Sequence, residues 1–178
     1  MMPYTDGYAL DGGGFGDYSA GSAIDGGSFN WEQSALEKMR AFVSSYPHPS
    51  PISGLAIDYT DNVPNSSGLF PSGLVEISRT KDLLGNTTVI NQYNFALYAV
   101  LEKSPDEDFG ATENAEWQMA FQEWVQERSI SGNAPAFGDD PRTERITAQN
   151  GTLFSAEDEG TAVYAIQMSV TFTRNFQR

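Results

Sequence analysis

Residues 143–174 read TERITAQNGTLFSAEDEGTAVYAIQMSVTFTR, and this stretch decides the fold. From Thr161 to Thr173 two kinds of side chain alternate. Ala162, Tyr164, Ile166, Met168, Val170 and Phe172 share one parity, and Thr161, Val163, Ala165, Gln167, Ser169, Thr171 and Thr173 take the other. Successive side chains of a strand point to opposite faces, so one face is apolar and the other is mostly Thr, Ser and Gln. The pattern predicts a half-buried strand of an antiparallel sheet. Before it, a short strand is expected to lead into a turn at Asn150-Gly151, followed by an acidic turn. The closing strand carries no catalytic side chain.

Upstream the same alternation predicts a hairpin. Leu74 to Lys81 forms one arm, and Gly85-Asn86 supplies turn residues that tolerate positive φ. Thr87 to Glu102 forms the other arm, with Val89, Tyr93, Phe95, Leu97, Ala99 and Leu101 on one side and Gln92, Asn94, Ala96 and Tyr98 on the other. Leu55, Ile57 and Tyr59 suggest a short strand, and 61–68 reads as a polar loop. A first helix is expected from Trp31 to Tyr46, capped by Asn30 with Gln33 and stopped by Pro47-His48-Pro49-Ser50-Pro51. A second is expected from Thr112 or Glu113 to Ser129, with Gly132 at its stop position and Trp117, Phe121, Trp124, Val125 and Arg128 along one face. An acidic loop, 104–110, precedes it, and 133–142 is read as a loop. The order is α-β-β-β-α-β-β, which implies an α+β fold: an antiparallel sheet with helices packed on one face.

Residues 1–30 stand apart. They hold eight of the 17 glycines, four Asp and no Lys or Arg, with two similar stretches, Ala9–Gly13 and Ala23–Gly27. Two readings stand for this Gly-rich arm: a solvated tail, or an arm that orders against a neighbouring subunit through aromatic contacts at Tyr8, Phe15 and Tyr18. Residues 31–178 are read as a single α+β domain, a size that suits one core.

Twenty-four acids against 10 bases give a net charge of −14. That balance argues against wrapping the outside of nucleic acid, which requires Lys and Arg to displace counterions. With no Cys there is no disulfide framework and no thiolate metal site. No apolar run long enough for a membrane span occurs, and no basic-then-apolar leader is seen, so a protein assembled in the cytoplasm is expected.

The chain offers little for catalysis. His48 is the sole histidine and lies in a Pro-rich loop; one His cannot build a multi-histidine metal site, and no motif announces a partnered nucleophile. The runs Asp106-Glu107-Asp108, Asp139-Asp140 and Glu157-Asp158-Glu159 lack the ligand frame of a calcium loop. Gly13-Gly14-Phe15-Gly16-Asp17 is neither a tandem calcium-binding repeat nor a phosphate cradle. We therefore expect no enzyme, no cofactor and no metal.

Three segments in combination resemble a known family: Phe121-Gln122-Glu123-Trp124-Val125-Gln126-Glu127 at the end of the second helix, the loop Asn133-Ala134-Pro135-Ala136-Phe137-Gly138, and the run Ala148 to Tyr164 before the last strand. Together, over roughly residues 31–176, they are similar to the minor capsid, or tail terminator, proteins of long-tailed bacteriophages. The resemblance implies a structural virion protein of the neck: a self-assembled ring, hexameric in most members, that ends tail-tube growth and joins the tail to the head. Its implied partners are the tail tube protein and the head-completion or connector protein. Genomic DNA would pass through the lumen without specific binding, no membrane would be engaged, and assembly would occur in the bacterial host cytoplasm. On this reading Asp106, Glu107, Asp108, Glu157, Asp158 and Glu159 are candidates for the lumen or an interface. The alternatives are another virion ring protein (tail tube or head completion), an acidic monomeric domain that mimics DNA or docks a basic partner, and, last, an enzyme dependent on His48 or an acid pair.

Overall fold

The computed structural model describes residues 34–60, 63–103, 107–156 and 160–177, with backbone alone for 107–110. The elements are α1 (Ala35–Ser44), β1 (Gly54–Ile57), β2 (Ser66–Lys81), β3 (Thr87–Glu102), α2 (Glu107–Ile130), β4 (Arg145–Ala156) and β5 (Thr161–Phe176), with a 3-10 turn at Pro141–Thr143. The fold is α+β. Its sheet has five strands in the order β1-β2-β3-β5-β4. It is mixed rather than antiparallel, because β1 pairs parallel with β2 through Gly54↔Ser66 to Ile57↔Leu69. The other neighbours are antiparallel.

Directly paired residues share a face, so the register assigns both sides of the sheet. Tyr93↔Val170, Phe95↔Met168 and Leu97↔Ile166 lie on one side, with Ile146 opposite Val170. These residues join Met39, Phe42 and Val43 of α1 and Phe121 and Val125 of α2 in one hydrophobic core. Both helices therefore cover the same face. They also meet each other through aromatic rings: Phe42 lies 4.9 Å from Trp124, and Tyr46 meets Phe121 edge-on at 5.1 Å. Each such side chain taken from water contributes about 1.5–3 kcal/mol. Burial pushes the Tyr46 phenol pKa upward.

Several boundaries differ from expectation, each for a physical reason. α1 starts at Ala35, capped by Ser34, whose Oγ accepts the Glu37 N–H at 3.1 Å. Ser34 and Glu37 have the capping-box spacing; Asn30, Trp31 and Gln33 lie outside the described residues. β1 ends at Ile57, and Asp58 at φ 55 turns the chain before Tyr59. β2 begins at Ser66, not Leu74. Pro71 and Gly73 read as breakers, yet a register shift between them absorbs both while pairing with β3 continues. α2 begins at Glu107, so much of the expected acidic loop is helix; acidic residues favour the positive end of a helix dipole. It stops where expected: Gly132 at φ 73 places the Asn133 N–H on Arg128 O at 2.9 Å. Asn150-Gly151 is not a turn but a bulge within β4, marked by Asn150 at φ 55 and a register shift between Gln149 and Thr152. Gly151 lies against α2, where a Cβ would meet the amide ends of Gln118 and Gln122 at 2.8 and 2.9 Å.

Candidate assembly surface

Three surfaces stand out, and strand geometry positions all of them. The first is the distal half of β2, an edge strand, with its turn into β3. Every residue of β2 from Pro71 to Lys81 is exposed, including Leu74, Val75 and Ile77. At the tip Leu83 is fully exposed and Leu84 is 82% exposed. The turn itself is well built: Asp82 accepts the N–H groups of Leu84 at 2.9 Å and Asn86 at 2.8 Å, and the Asn86 side-chain amide at 2.9 Å. These bonds, the Asn86 side chain first, hold the Asp82 carboxyl below its ordinary pKa. Arg79 pairs with Glu76 at 2.6 Å along the exposed strand, which raises the guanidinium pKa. A rigid turn thus presents two leucines to solvent.

The second surface is the open face of the sheet, away from the helices. Pairing brings Gln92, Asn94, Thr147, Gln149, Gln167, Ser169 and Thr171 to this side. These side chains bond one another: Gln92 Nε2 donates to Asn94 Oδ1 at 2.7 Å, Thr147 and Ser169 hydroxyls lie 2.9 Å apart, and Asn150 Nδ2 donates to Gln167 Oε1 at 2.9 Å. The result is a carpet of amides and hydroxyls, bordered by Arg145, which pairs with Thr171 and so shares this face. At one end it passes into an aromatic groove of about 540 Å³, where Tyr98 meets Phe70 at 5.1 Å and Phe154 at 5.2 Å, both edge-on.

The third surface is a groove of about 570 Å³ between α2 and the outer edge of β4. Ile130, Ile146 and Ala148 line it together with polar side chains, Glu123 and Arg145 among them.

Charge is distributed unevenly over these surfaces. Strands β2 to β5 hold Glu76 and Glu102 as their acids, against Arg79, Lys81, Arg145 and Arg174. α2 holds six acids and one base. The negative charge therefore belongs to helix and loops, not to the sheet.

The residues singled out from sequence do not converge on a described site. Tyr8, Phe15, Tyr18, Asp106, Glu157, Asp158 and Glu159 lie outside the described residues, as do the side chains of Glu107 and Asp108, whose backbone opens α2. His48 is exposed and meets Tyr46 edge-on at 5.5 Å. Asp139 and Asp140 are engaged in local structure: Asp139 Oδ2 accepts the Asn175 N–H at 2.6 Å, and Asp140 Oδ1 accepts the Arg142 N–H at 3.1 Å. Among the described residues no three His, Cys, Asp or Glu group together as metal ligands. Nor is any described helix long and apolar enough to cross a membrane. Sequence reading missed the aromatic groove and the hairpin tip. The tip is signalled by Leu83-Leu84 standing inside a polar turn; the groove is not, because Phe70, Tyr98 and Phe154 come from three separate strands.

No protein-family model matches the chain, and no curated protein matches it in sequence.

Proposed function

We propose that this chain is a structural virion protein of a phage neck. Copies form a ring, of six by the family resemblance, that ends tail-tube growth, joins the tail to the head connector and leaves a lumen for DNA. The α-β-β-β-α-β-β order over residues 31–178 forms one tail-terminator-like domain in this reading. The observation that carries it is the β2–β3 turn, in which well-bonded backbone holds Leu83 and Leu84 in water at the end of the sheet. Exposed apolar groups on a rigid turn mark a surface that another protein covers. The open face of the sheet is compatible with the same reading, since its centre is amides and hydroxyls bonded to one another, with Arg145 only at its β4 border. The charge near DNA then comes from the surrounding acids rather than from the sheet, which complements the lumen role given to Asp106–Asp108 and Glu157–Glu159.

A second reading rests on a different observation. The exposed Glu113, Glu116, Glu123 and Glu127 line α2 with negative charge, as an acidic monomeric domain docking a basic partner would. Native mass, measured alone and with purified tail tubes and followed by negative-stain imaging, separates the two. A closed ring or a cap at one tube end supports the neck role. A monomer that ignores tubes and binds a basic partner overturns it.

A further inference from the structure

Two edges of the sheet have no strand beside them among the described residues. β1 pairs with β2 only from Ser66 to Leu69, so the outer edge of β2 continues alone from Phe70 to Lys81. At the opposite side β4 is the last strand. We infer that these edges join between copies of this chain, the distal half of β2 in one copy lying antiparallel along β4 of the next. The inference deepens the ring reading and rests on it.

Four observations select a second copy as the occupant. The first is length. Four of the sixteen residues of β2 pair with β1, and of the rest Phe70 to Ile77 run along Thr152 to Arg145 of β4 when Val75 stands opposite Thr147. Each edge presents a row of backbone N–H and C=O groups, a template for another strand.

The second is direction. β2, β3, β5 and β4 pair antiparallel in turn, so β4 runs opposite to β2. A rotation about an axis along the strands carries one copy to the next without reversing any strand. It sets β2 antiparallel to the neighbouring β4 and keeps all helices on one face, as a heterologous ring contact requires.

The third is side-chain fit. Leu74 pairs with Tyr93, which places it on the helix side of the sheet, and it is exposed. A strand added beside β4 keeps that face, so Leu74 comes to lie beside Ile130, Ile146 and Ala148, the apolar side chains of the groove between α2 and β4.

The fourth is charge. Copies at −14 repel one another, yet β2 and β4 together hold one acid, Glu76, against Arg79, Lys81 and Arg145. These two edges can approach without bringing carboxylates together.

The absence of native Cys gives a clean test. Val75 and Thr147 are exposed, and register places both on the open face. Val75→Cys and Thr147→Cys proteins are prepared separately, mixed with tail tubes and treated with a short bismaleimide, which tolerates a small register error. The mixture is expected to give a cross-linked dimer several-fold stronger than either variant alone. The double variant is expected to give a ladder that ends at the ring size, and Leu74→Asp added to it should abolish the ladder while leaving the thermal midpoint unchanged. Rings without a ladder would overturn the edge pairing and leave the ring reading standing. A ladder of open chains without rings would support the pairing and overturn the ring. Cross-links to tube protein in place of a second copy would overturn the pairing, and the absence of both ladder and ring would overturn both readings.

Discussion

The carboxylate of Glu144, fully buried, accepts the backbone N–H of Phe137 at 2.6 Å through one oxygen, while its other oxygen takes the Gly138 N–H at 2.7 Å. A single side chain thus satisfies the turn of the loop that joins α2 to β4. Lys38 Nζ donating to Ala136 O at 2.7 Å ties the same loop to α1. Glu144→Gln puts a donor where an acceptor is needed and strands one buried N–H. We expect a loss of about 1–3 kcal/mol, read as a lower urea midpoint with unchanged slope. An unchanged midpoint would show that the loop does not depend on this bond pair.

Gly138 lies against the backbone of Thr173 so closely that a Cβ would overlap the Thr173 carbonyl oxygen. The Asp139 N–H donates to that same oxygen at 3.0 Å, so the loop cannot move away without losing a bond. Gly138→Ala is expected to cost about 1–3 kcal/mol by overpacking. Gly73→Ala is a useful contrast: nothing lies within 4 Å of its Cβ, but its φ of 121 is one that L side chains rarely adopt. Its cost should come from backbone strain alone and be confined to the exposed hairpin, where amide exchange near residues 71–95 would report it.

Asp82 organises the hairpin tip through bonds that form best with its ionised carboxylate. Its pKa is lowered from 3.8 in the folded protein. The contribution to tip order is therefore fully present above the ordinary Asp value, and it is lost as pH falls through the lower folded value. Carboxyl carbon shifts followed by NMR should show Asp82 titrating below 3.8. Asn86→Ala removes the largest cause and should return the titration towards 3.8. An Asp82 that titrates normally in the native protein would contradict this account.

Leu83 and Leu84 contribute little to the fold, because both stand in solvent. Leu83→Ser with Leu84→Ser is expected to change stability by no more than about 0.5 kcal/mol. On the neck reading it should nevertheless lower capping of tail tubes at least tenfold. A double variant that caps as well as the native protein would move the partner surface elsewhere.

Phe121 lies at the centre of the core, fully buried and in contact with Tyr46, Trp117 and Trp124. Phe121→Ala should cost about 3–5 kcal/mol by chemical denaturation.

The long strands were legible because one period-two pattern runs unbroken through each of them. The register from Thr87↔Phe176 to Glu102↔Thr161 pairs residues whose parity alone had sorted them into faces. β2 was legible only in part, since Pro71 and Gly73 are strand breakers by local rule. Pairing with β3 on one side, and a free edge on the other, lets a bulge absorb them. Asn150-Gly151 misled for the same reason: turn chemistry and bulge chemistry use the same residues. The parallel pairing of β1 could not be read, because direction depends on the path of 58–65 and not on any side-chain pattern. The Glu144 clamp was hidden as well. An isolated Glu beside Arg145 looks solvated until the loop folds over it.

The placement of charge off the sheet gives the free protein a means of waiting. A long unpaired edge is hazardous for a chain in isolation, since any strand can add to it. Here the register shifts at Pro71/Gly73 and Glu76/Ser78 interrupt that edge, and acids on α2 keep identical molecules apart at a distance. That repulsion reaches about 10 Å at 0.1 M salt and about 3 Å at 1 M, whereas backbone pairing at contact is hardly screened. Ionic strength, or a surface that gathers copies against their own repulsion, therefore acts as a timer on self-association. The molecule's most negative elements set when its neutral strands can meet.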